Sequence, residues 1–271
     1  MMRVLLCLAI AGWFTSPNWS ALAAESTCGP YHLAYYEFGS LYYRQNDGKF
    51  TGIDKDIVEE LARRSGCVFE TSLDSRVRIW SQLTEGTLDI STSGAITAER
   101  EKSFSFIPDF VSRNYLLVNH QLAKRIHSLK AFSADPTLRL AVVKSYKHGT
   151  MFDVWIDQLR AQKRVDEYAD ADVVARVFAA GRADAFLSQP VTWGPLLEKA
   201  GITDKVRMLD VVPSENFAAG LVLAKGKVRP DDEMRLRKAM RSMLTDGTAE
   251  QIYERYVQEK VAHSLIYRSG P

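Results

Sequence analysis

The sequence lacks the motifs by which the common enzyme classes are recognised. It has no Gly-x-Ser-x-Gly elbow, no phosphate-binding P-loop, no Gly-x-Gly-x-x-Gly and no His-Glu-x-x-His. Its 5 histidines are scattered without metal-ligand spacing. Its carboxylates form no pair whose pattern separates a catalytic acid from ordinary surface charge. These absences favour binding over catalysis, and we expect neither a cofactor nor a metal.

Long apolar runs are also missing once the first residues are passed. Val4 to Phe14 is apolar, follows Arg3 and precedes the small residues Ala21-Leu-Ala23. This pattern is typical of a secretory signal, which we place at residues 1–24. The run is too short to span a bilayer. We therefore expect a periplasmic protein that does not insert into the membrane.

An excess of one charge sign is absent as well. The chain has 35 Lys and Arg against 33 Asp and Glu, and basic residues occur in small mixed clusters such as Arg76-Val-Arg78. Such a balance argues against a nucleic-acid partner or a membrane-surface role. The length of 271 residues allows one large domain or two modest lobes. We expect a monomer.

Cysteine is scarce. Of the 3 cysteines, Cys7 lies in the predicted signal, which leaves Cys28 and Cys67 in an oxidising compartment. Each of these two stands just before a strand-like apolar run. If the two runs are neighbouring parallel strands, the cysteines lie side by side and a disulfide is geometrically reasonable. The alternative is two unpaired buried thiols.

Alternating strand-like and helix-like segments predict an α/β fold. Asp54 is predicted to cap the first long helix, a fresh series of strands and helices starts at Leu138, and two helices end the fold. A Gly-x-x-Asp step leads from a helix into a strand at both Gly86 and Gly181. Ligands sit beyond the carboxyl ends of parallel strands, so the two strand exits could face each other across a cleft. The alternative is a common turn that merely occurs twice.

The stretch from Gly86 to Phe106 contains the clearest candidate site. A short strand ends in small residues, Thr92-Ser93-Gly94, and Arg100 follows shortly after. Backbone N–H groups can approach a ligand closely where side chains are small, and the planar guanidinium matches a carboxylate. This favours an anionic small molecule. The alternative is a helix capped by Thr97, with Arg100 in water.

Five motifs in order along the chain resemble one family, the periplasmic solute-binding proteins of polar amino-acid ABC transporters. The motifs are Gly52-Ile-Asp-Lys-Asp56, Trp80 to Asp89, Ile96-Thr-Ala-Glu-Arg100 with Phe104-Ser105, Gly181 to Ala185, and Asp246 to Tyr253. The resemblance implies the type II fold, with two lobes, each a mainly parallel sheet flanked by helices, and a ligand cleft between them. It places lobe 1 at residues 25–112 and 214–262, lobe 2 at 113–213, and a tail at 263–271.

The resemblance also implies which residues bind the ligand. Arg100 would hold a ligand carboxylate, as the arginine of the family's Thr-x-Glu-Arg motif does. Ala95 stands where the family usually has Ser or Thr, and a glycine usual in the second-lobe loop is missing. The full set of predicted ligand-binding residues is Tyr36, Glu37, Phe38, Ser93, Gly94, Ala95, Thr97, Arg100, Ser145, Tyr146 and Gln189.

Gln189 is the most informative departure from the family pattern. Amino-acid binders of the family carry an aspartate after the second-lobe strand, where it pairs with the α-ammonium of the ligand. A neutral amide cannot supply that charge, and a buried unpaired ammonium is costly. Either the ligand lacks an α-ammonium, or another carboxylate of the protein pairs with that ammonium. Glu37 is the candidate for the second case.

The function that the resemblance implies is capture of a small carboxylate-bearing solute and its delivery to an ABC permease. One alternative is a periplasmic enzyme on the same scaffold, similar to cyclohexadienyl or arogenate dehydratases, with Glu37 as its acid or base. Another is an accessory binding protein of a periplasmic dehydrogenase.

Overall fold

The structure, a computed structural model, describes residues 27–45 and 47–268. The predicted signal at residues 1–24 and the last three residues of the predicted tail lie outside the described residues. The strands in chain order are β1 (Cys28–Tyr35), β2 (Tyr43–Arg44), β3 (Phe50–Thr51), β4 (Cys67–Leu73), β5 (Ile90–Ala95), β6 (Phe104–Ser112), β7 (Tyr115–Asn119), β8 (Leu140–Val143), β9 (Val165–Tyr168), β10 (Ala185–Ser188), β11 (Val206–Leu209) and β12 (Phe217–Ala224).

The helices follow the same order. They are α1 (Ile53–Ser65), α2 (Arg76–Glu85), α3 (His120–Ala123), α4 (Leu129–Ala134), α5 (Thr150–Ala161), α6 (Ala171–Ala179), α7 (Pro190–Lys199), α8 (Pro230–Thr245), α9 (Thr248–Glu254) and α10 (Glu259–Leu265), with a 3₁₀ turn at Arg100–Lys102. None of the described helices combines the length and the apolarity that a membrane span needs.

Two five-stranded sheets form the two lobes. The first sheet has the order β4-β1-β5-β12-β6 and the second the order β11-β7-β10-β8-β9. Helices α1, α8 and α9 pack together on the first lobe, whereas α6 packs against the second sheet. Apolar side chains of α1, such as Ile57 and Leu61, are fully buried there. The two-lobed α/β architecture predicted from the sequence is confirmed.

Each sheet is mixed, whereas the sequence predicted mainly parallel sheets. In the first sheet β1 pairs in parallel with β4 and β5, but β12 is antiparallel to both β5 and β6. In the second sheet β7 is antiparallel to β10 and β11. The reason is the path of the chain, which crosses between the sheets at residues 113–114 and again at 210–216. The strands next to the crossings are therefore antiparallel to their neighbours. The local alternation of strands and helices in the sequence does not indicate these antiparallel pairs.

The disulfide links the first two long strands of the first sheet. Cys28 and Cys67 are register partners in β1 and β4, their Cα atoms are 4.4 Å apart, and a disulfide joins them. Both are buried. The bridge closes a segment of 39 residues that contains α1, so it restricts this part of the unfolded chain.

The C-terminal segment is packed, in contrast to the predicted tail from residue 263. A third helix, α10, follows α8 and α9, and its Leu265 is buried together with Ile266. Ile266 forms a bridge with Phe110 of β6, and the backbone N–H of Tyr267 donates to the carbonyl oxygen of Asp109 at 3.1 Å. These apolar side chains account for the packing of residues 263–268 against the first sheet.

Candidate ligand-binding cleft

The carboxyl ends of strands from both sheets meet at one place. Tyr36 follows β1, and Ser93 to Ala95 form the end of β5. On the facing side, Ser145 and Tyr146 follow β8, and Gln189 follows β10. Ligands of α/β folds bind beyond the carboxyl ends of the strands, so a ligand is expected at this place.

Arg100 reaches from the first lobe to the second. Its Nη1 donates to the carbonyl oxygen of Ala95 at 3.0 Å, and its Nη2 donates to the carbonyl oxygen of Ser145 at 3.2 Å. The guanidinium carbon lies 3.9 Å from the ring centroid of Trp80, close enough for a cation–π contact. Thr97 accepts a hydrogen bond from the backbone N–H of Arg100 at 3.2 Å. The N-cap of the 3₁₀ turn is Glu99 and not Thr97, and Arg100 points inward, so the alternative of a helix capped by Thr97 with Arg100 in water is wrong.

The surroundings of Arg100 make its positive charge costly. Burial lowers the pKa of Arg100 to about 10, and the positive charge of Arg76 acts in the same direction. In the described part of the chain no carboxylate forms an ion pair with Arg100. Its partners are neutral carbonyl oxygens, which leaves the cation without a counter-charge in a partly dry site.

A second arginine, Arg76, lies between aromatic rings in the same cleft. It is the first residue of α2 and only 6% exposed. Its guanidinium carbon is 4.2 Å from the ring centroid of Tyr36 and 4.6 Å from that of Tyr146. Its Nη2 donates to the hydroxyl of Tyr36 at 2.6 Å, and this hydroxyl donates to the carbonyl oxygen of Ser93 at 3.1 Å. Tyr146 also packs on Phe38, with ring centroids 5.5 Å apart.

Asp54 faces this cleft and does not cap its helix. The N-cap of α1 is Gly52, and Asp54 lies in the first turn, 3% exposed. The hydroxyl of Ser93 donates to its Oδ1 at 2.7 Å. Ser93 itself has a φ of 50°, in the left-handed region that few non-glycine residues adopt. Burial raises the pKa of Asp54 to about 6, against the opposing effect of its hydrogen bonds and of Arg76.

Most of the predicted binding residues lie together, and three stand apart from the rest. The eight that come together are Tyr36, Phe38, Ser93, Ala95, Thr97, Arg100, Ser145 and Tyr146. Glu37 is exposed beside them. Gly94 is needed for packing, because a Cβ at that position would lie 2.1 Å from Cγ2 of Val222.

Gln189 is the third exception. It is 1% exposed and precedes α7, where its carbonyl oxygen accepts hydrogen bonds from the backbone N–H and the hydroxyl of Thr192, both at 2.9 Å. Its side-chain Oε1 has no hydrogen-bond partner among the described residues. The residue after β10 is therefore a buried neutral amide.

A cavity of about 450 Å³ adjoins Tyr36 and Arg76. It is lined by both lobes, with residues 36–38 and 73–76 on one side and Val143, residues 169–172 and Arg176 on the other. Its volume suits a small organic molecule. In the described part of the chain, no group of three or more His, Cys, Asp or Glu side chains is arranged to hold a metal ion.

Sequence reasoning missed Arg76, Asp54 and Trp80 as cleft residues. A signal for Arg76 was available, because it follows the carboxyl end of β4 just as the predicted residues follow β1, β5, β8 and β10. It was interpreted instead as one member of a mixed surface cluster. Its neighbour Arg78 fits that interpretation, since it is exposed and pairs with Asp74.

Comparison with known proteins gives one family and a consistent fold. The family model for bacterial extracellular solute-binding proteins, family 3, matches residues 33–259. YxeM, a probable amino-acid-binding protein of Bacillus subtilis (strain 168), is 23% identical over 224 residues, which cover 81% of this chain and 80% of YxeM.

Two solved structures illustrate the likeness of fold. A histidine kinase sensor domain with similarity to periplasmic binding proteins has a TM-score of 0.72 and 13% identity, covering 86% of this chain and 97% of that one. The ancestral amino acid-binding protein AncCDT-1, a precursor of cyclohexadienyl dehydratase, has a TM-score of 0.70 and 22% identity, covering 85% and 96%. At these identities the likeness concerns the fold alone.

Proposed function

This chain belongs to the bacterial extracellular solute-binding proteins of family 3, and we propose that it captures a small carboxylate-bearing solute by closing its two lobes around Arg100. The observation that carries this proposal is the state of the Arg100 guanidinium. It is half-buried between the lobes, packed against Trp80, and hydrogen-bonded only to neutral groups among the described residues. A carboxylate supplies the counter-charge and can accept two parallel hydrogen bonds from the planar fork.

The contact between Arg100 and Ser145 explains how binding and closure are linked. Arg100 lies on the first lobe and Ser145 on the second, so one guanidinium touches both. A ligand carboxylate held by Arg100 lies at the same junction and is enclosed when the lobes approach. Hinge closure of this kind needs only a few residues to change their backbone angles, and the crossings at 113–114 and 210–216 are the candidate hinges.

We further propose a periplasmic location and an ABC permease as the partner that receives the solute. The support is the family, together with the apolar N-terminal run that resembles a secretory signal. On this account, lobe 1 comprises residues 25–112 and 214–262, and lobe 2 comprises residues 113–213. YxeM, a probable amino-acid-binding protein, points to an amino acid or a related organic acid as the solute class.

An enzyme on this scaffold finds less support in the site. The acid or base that the sequence suggested, Glu37, lines the cavity beside Arg76 but is exposed to solvent, and no hydrogen bond to another described residue orients it. A general acid or base has to lie within hydrogen-bonding reach of the reacting group. Binding without turnover is therefore the function we propose.

A thermal-shift screen with matched pairs tests the proposal. Protein that has been unfolded and refolded to remove carried ligand is incubated with amino acids and organic acids, each paired with its primary amide. We expect at least one acid to raise the midpoint of unfolding, because ligand far above its dissociation constant stabilises the folded state by several kcal/mol, on the order of 3 at a hundredfold excess. Its amide should not. If no acid shifts the midpoint, or if amides work equally well, the proposal is wrong.

A further inference from the structure

We propose that the solute is a small dicarboxylate without an α-ammonium group, and that Arg76 binds its second carboxylate while Arg100 binds the first. This inference rests on the proposed function and narrows its ligand class. Its starting point is that the cleft contains two guanidinium groups and that neither forms an ion pair within the described residues.

The two arginines lie near the same short stretch of the cleft wall, residues 93–95. Arg76 contacts the hydroxyl of Tyr36, which donates to the carbonyl oxygen of Ser93. Arg100 donates to the carbonyl oxygen of Ala95, two residues further along β5. Both side chains also lie against the loop after β8, Arg100 through Ser145 and Arg76 through the ring of Tyr146. A single small molecule can therefore touch both guanidinium groups.

The charge balance of the cleft calls for two negative charges. Arg76 is 6% exposed, and its charge is one reason for the depressed pKa of Arg100. The nearest buried carboxyl, Asp54, accepts a hydrogen bond from Ser93 at its Oδ1 and forms no ion pair with either arginine among the described residues. Burial raises its pKa to about 6, so it holds its proton more tightly than a free carboxyl. A zwitterionic amino acid brings no net charge into this site, whereas a dicarboxylate supplies one negative charge for each guanidinium.

Three of the four acidic residues that line the adjoining cavity are engaged by other groups, and the fourth, Glu37, is exposed to solvent. Asp74 pairs with Arg78, and Asp172 pairs with Lys199. Asp170 caps α6 by accepting a hydrogen bond from the backbone N–H of Val173 at 2.8 Å. These carboxylates therefore do not neutralise Arg76, even though they line the same 450 Å³ cavity.

The place that a cationic ligand would need is taken by the chain itself. Stacked aromatic rings attract a guanidinium or an ammonium, and here the rings of Tyr36 and Tyr146 hold Arg76. A ligand such as arginine would have to displace Arg76 and add a third cation to the cleft. The end of β10 supplies the neutral Gln189, so an α-ammonium finds no carboxylate there. Both features select against amino acids and for a dianion.

Calorimetric titration of ligand-stripped protein tests the inference. The probes are succinate, glutarate and adipate, the monocarboxylates butyrate, valerate and hexanoate, and the amino acids glutamine, glutamate and arginine. We expect one of the dicarboxylates to bind at least about tenfold more tightly than the monocarboxylate of equal chain length and than any of the amino acids, as one extra charge-assisted hydrogen-bonded pair implies.

Two variants identify the residue responsible. In Arg76→Met the preference for the dicarboxylate over the monocarboxylate should fall by about ten- to a hundredfold. In Arg241→Met, which removes an exposed arginine of α8 on the same lobe, the preference should stay. The wild-type ranking alone decides the matter if Arg76→Met does not fold.

The outcomes separate this inference from the proposed function. If glutamine, glutamate or arginine binds more tightly than every dicarboxylate, or if Arg76→Met keeps the full preference, the dianion inference fails while carboxylate capture stands. If no carboxylate of any class binds, the proposed function fails and the inference fails with it.

Discussion

The two walls of the cleft differ in kind. The wall built on the first sheet carries the charged and hydrogen-bonding side chains, Arg76, Arg100 and Asp54, and it is cross-linked by the disulfide. The wall built on the second sheet offers a backbone carbonyl at Ser145, the ring of Tyr146 and a neutral amide. The difference suggests a division of labour between the lobes. Lobe 1 recognises the ligand by charge, whereas lobe 2 encloses it through neutral contacts.

This division has a consequence for substitutions. Changes in the first wall should alter which ligand binds and how stable the lobe is. Changes in the second wall should mainly weaken the closed state. The predictions below test that contrast from the largest expected effect to the smallest.

Removal of the disulfide should destabilise the first lobe strongly. Replacing Cys28 and Cys67 by alanine releases a segment of 39 residues in the unfolded chain. We expect a loss of about 2–4 kcal/mol in the free energy of unfolding. Urea unfolding followed by circular dichroism measures the loss, and hydrogen exchange locates it. Exchange should rise in β1, α1 and β4 and not in β8 or α5. An equal rise in both lobes would contradict the contrast.

Asp54 should make the first lobe less stable as the pH rises. Its pKa is about 6 in the folded protein and near 3.8 as a model value, so the folded state holds the proton more tightly. This stabilisation is fully present below about pH 4 and is lost as the pH rises through 6. The difference amounts to about 3 kcal/mol.

The variant Asp54→Asn isolates this effect. Between pH 4.5 and 7 its unfolding free energy should fall less than that of the wild type, whereas Glu59→Gln, an exposed change on the same helix, should follow the wild type. Asp109, whose pKa burial also raises, remains in both proteins. Because the Asp54 charge raises the pKa of Asp109 further, its contribution should shrink in Asp54→Asn, which acts in the same direction. Parallel pH profiles of Asp54→Asn and the wild type would show that Asp54 is not held neutral.

Substitution in the second wall should have the smallest effect, a modest loss of ligand affinity. Tyr146→Ala removes the ring that packs on Phe38 and Arg76. We expect ligand affinity to fall about tenfold, because roughly 1–2 kcal/mol of ring contact is lost from the closed state. The matched change Tyr146→Phe keeps the ring and should stay within about threefold of the wild type. The order of preference among ligands should be the same in both variants, as measured by calorimetry, and a changed order would assign recognition to lobe 2.

The sequence allowed the fold class and most of the cleft to be predicted, for a definite physical reason. Residues that follow the carboxyl end of a strand in an α/β fold lie at one edge, and this reasoning placed Ser93 and Arg100 in the candidate site. Tyr36 and Tyr146 were expected there only because the chain resembles the solute-binding family. Glu37 was expected in the same place, and it lines the cavity but is exposed to solvent.

The features that were missed depend on contacts between distant parts of the chain. Whether Arg76 faces solvent or the rings of Tyr36 and Tyr146 is decided by side chains that are distant in the sequence, since Tyr146 comes from the loop after β8. The inward position of Asp54 depends on Ser93, which is 39 residues away. The antiparallel insertion of β12 depends on the second crossing of the chain. None of these relations leaves a local pattern in the sequence.

The most direct test of carboxylate capture by lobe 1 is calorimetric titration of Arg100→Met with the tightest-binding acid found for the wild type. The variant Lys102→Met, an exposed cation in the same 3₁₀ turn, is the matched control. The account predicts that affinity falls at least about a hundredfold in Arg100→Met and stays unchanged in Lys102→Met, since two charge-assisted hydrogen bonds are lost only in the first. Unchanged binding by Arg100→Met would contradict it.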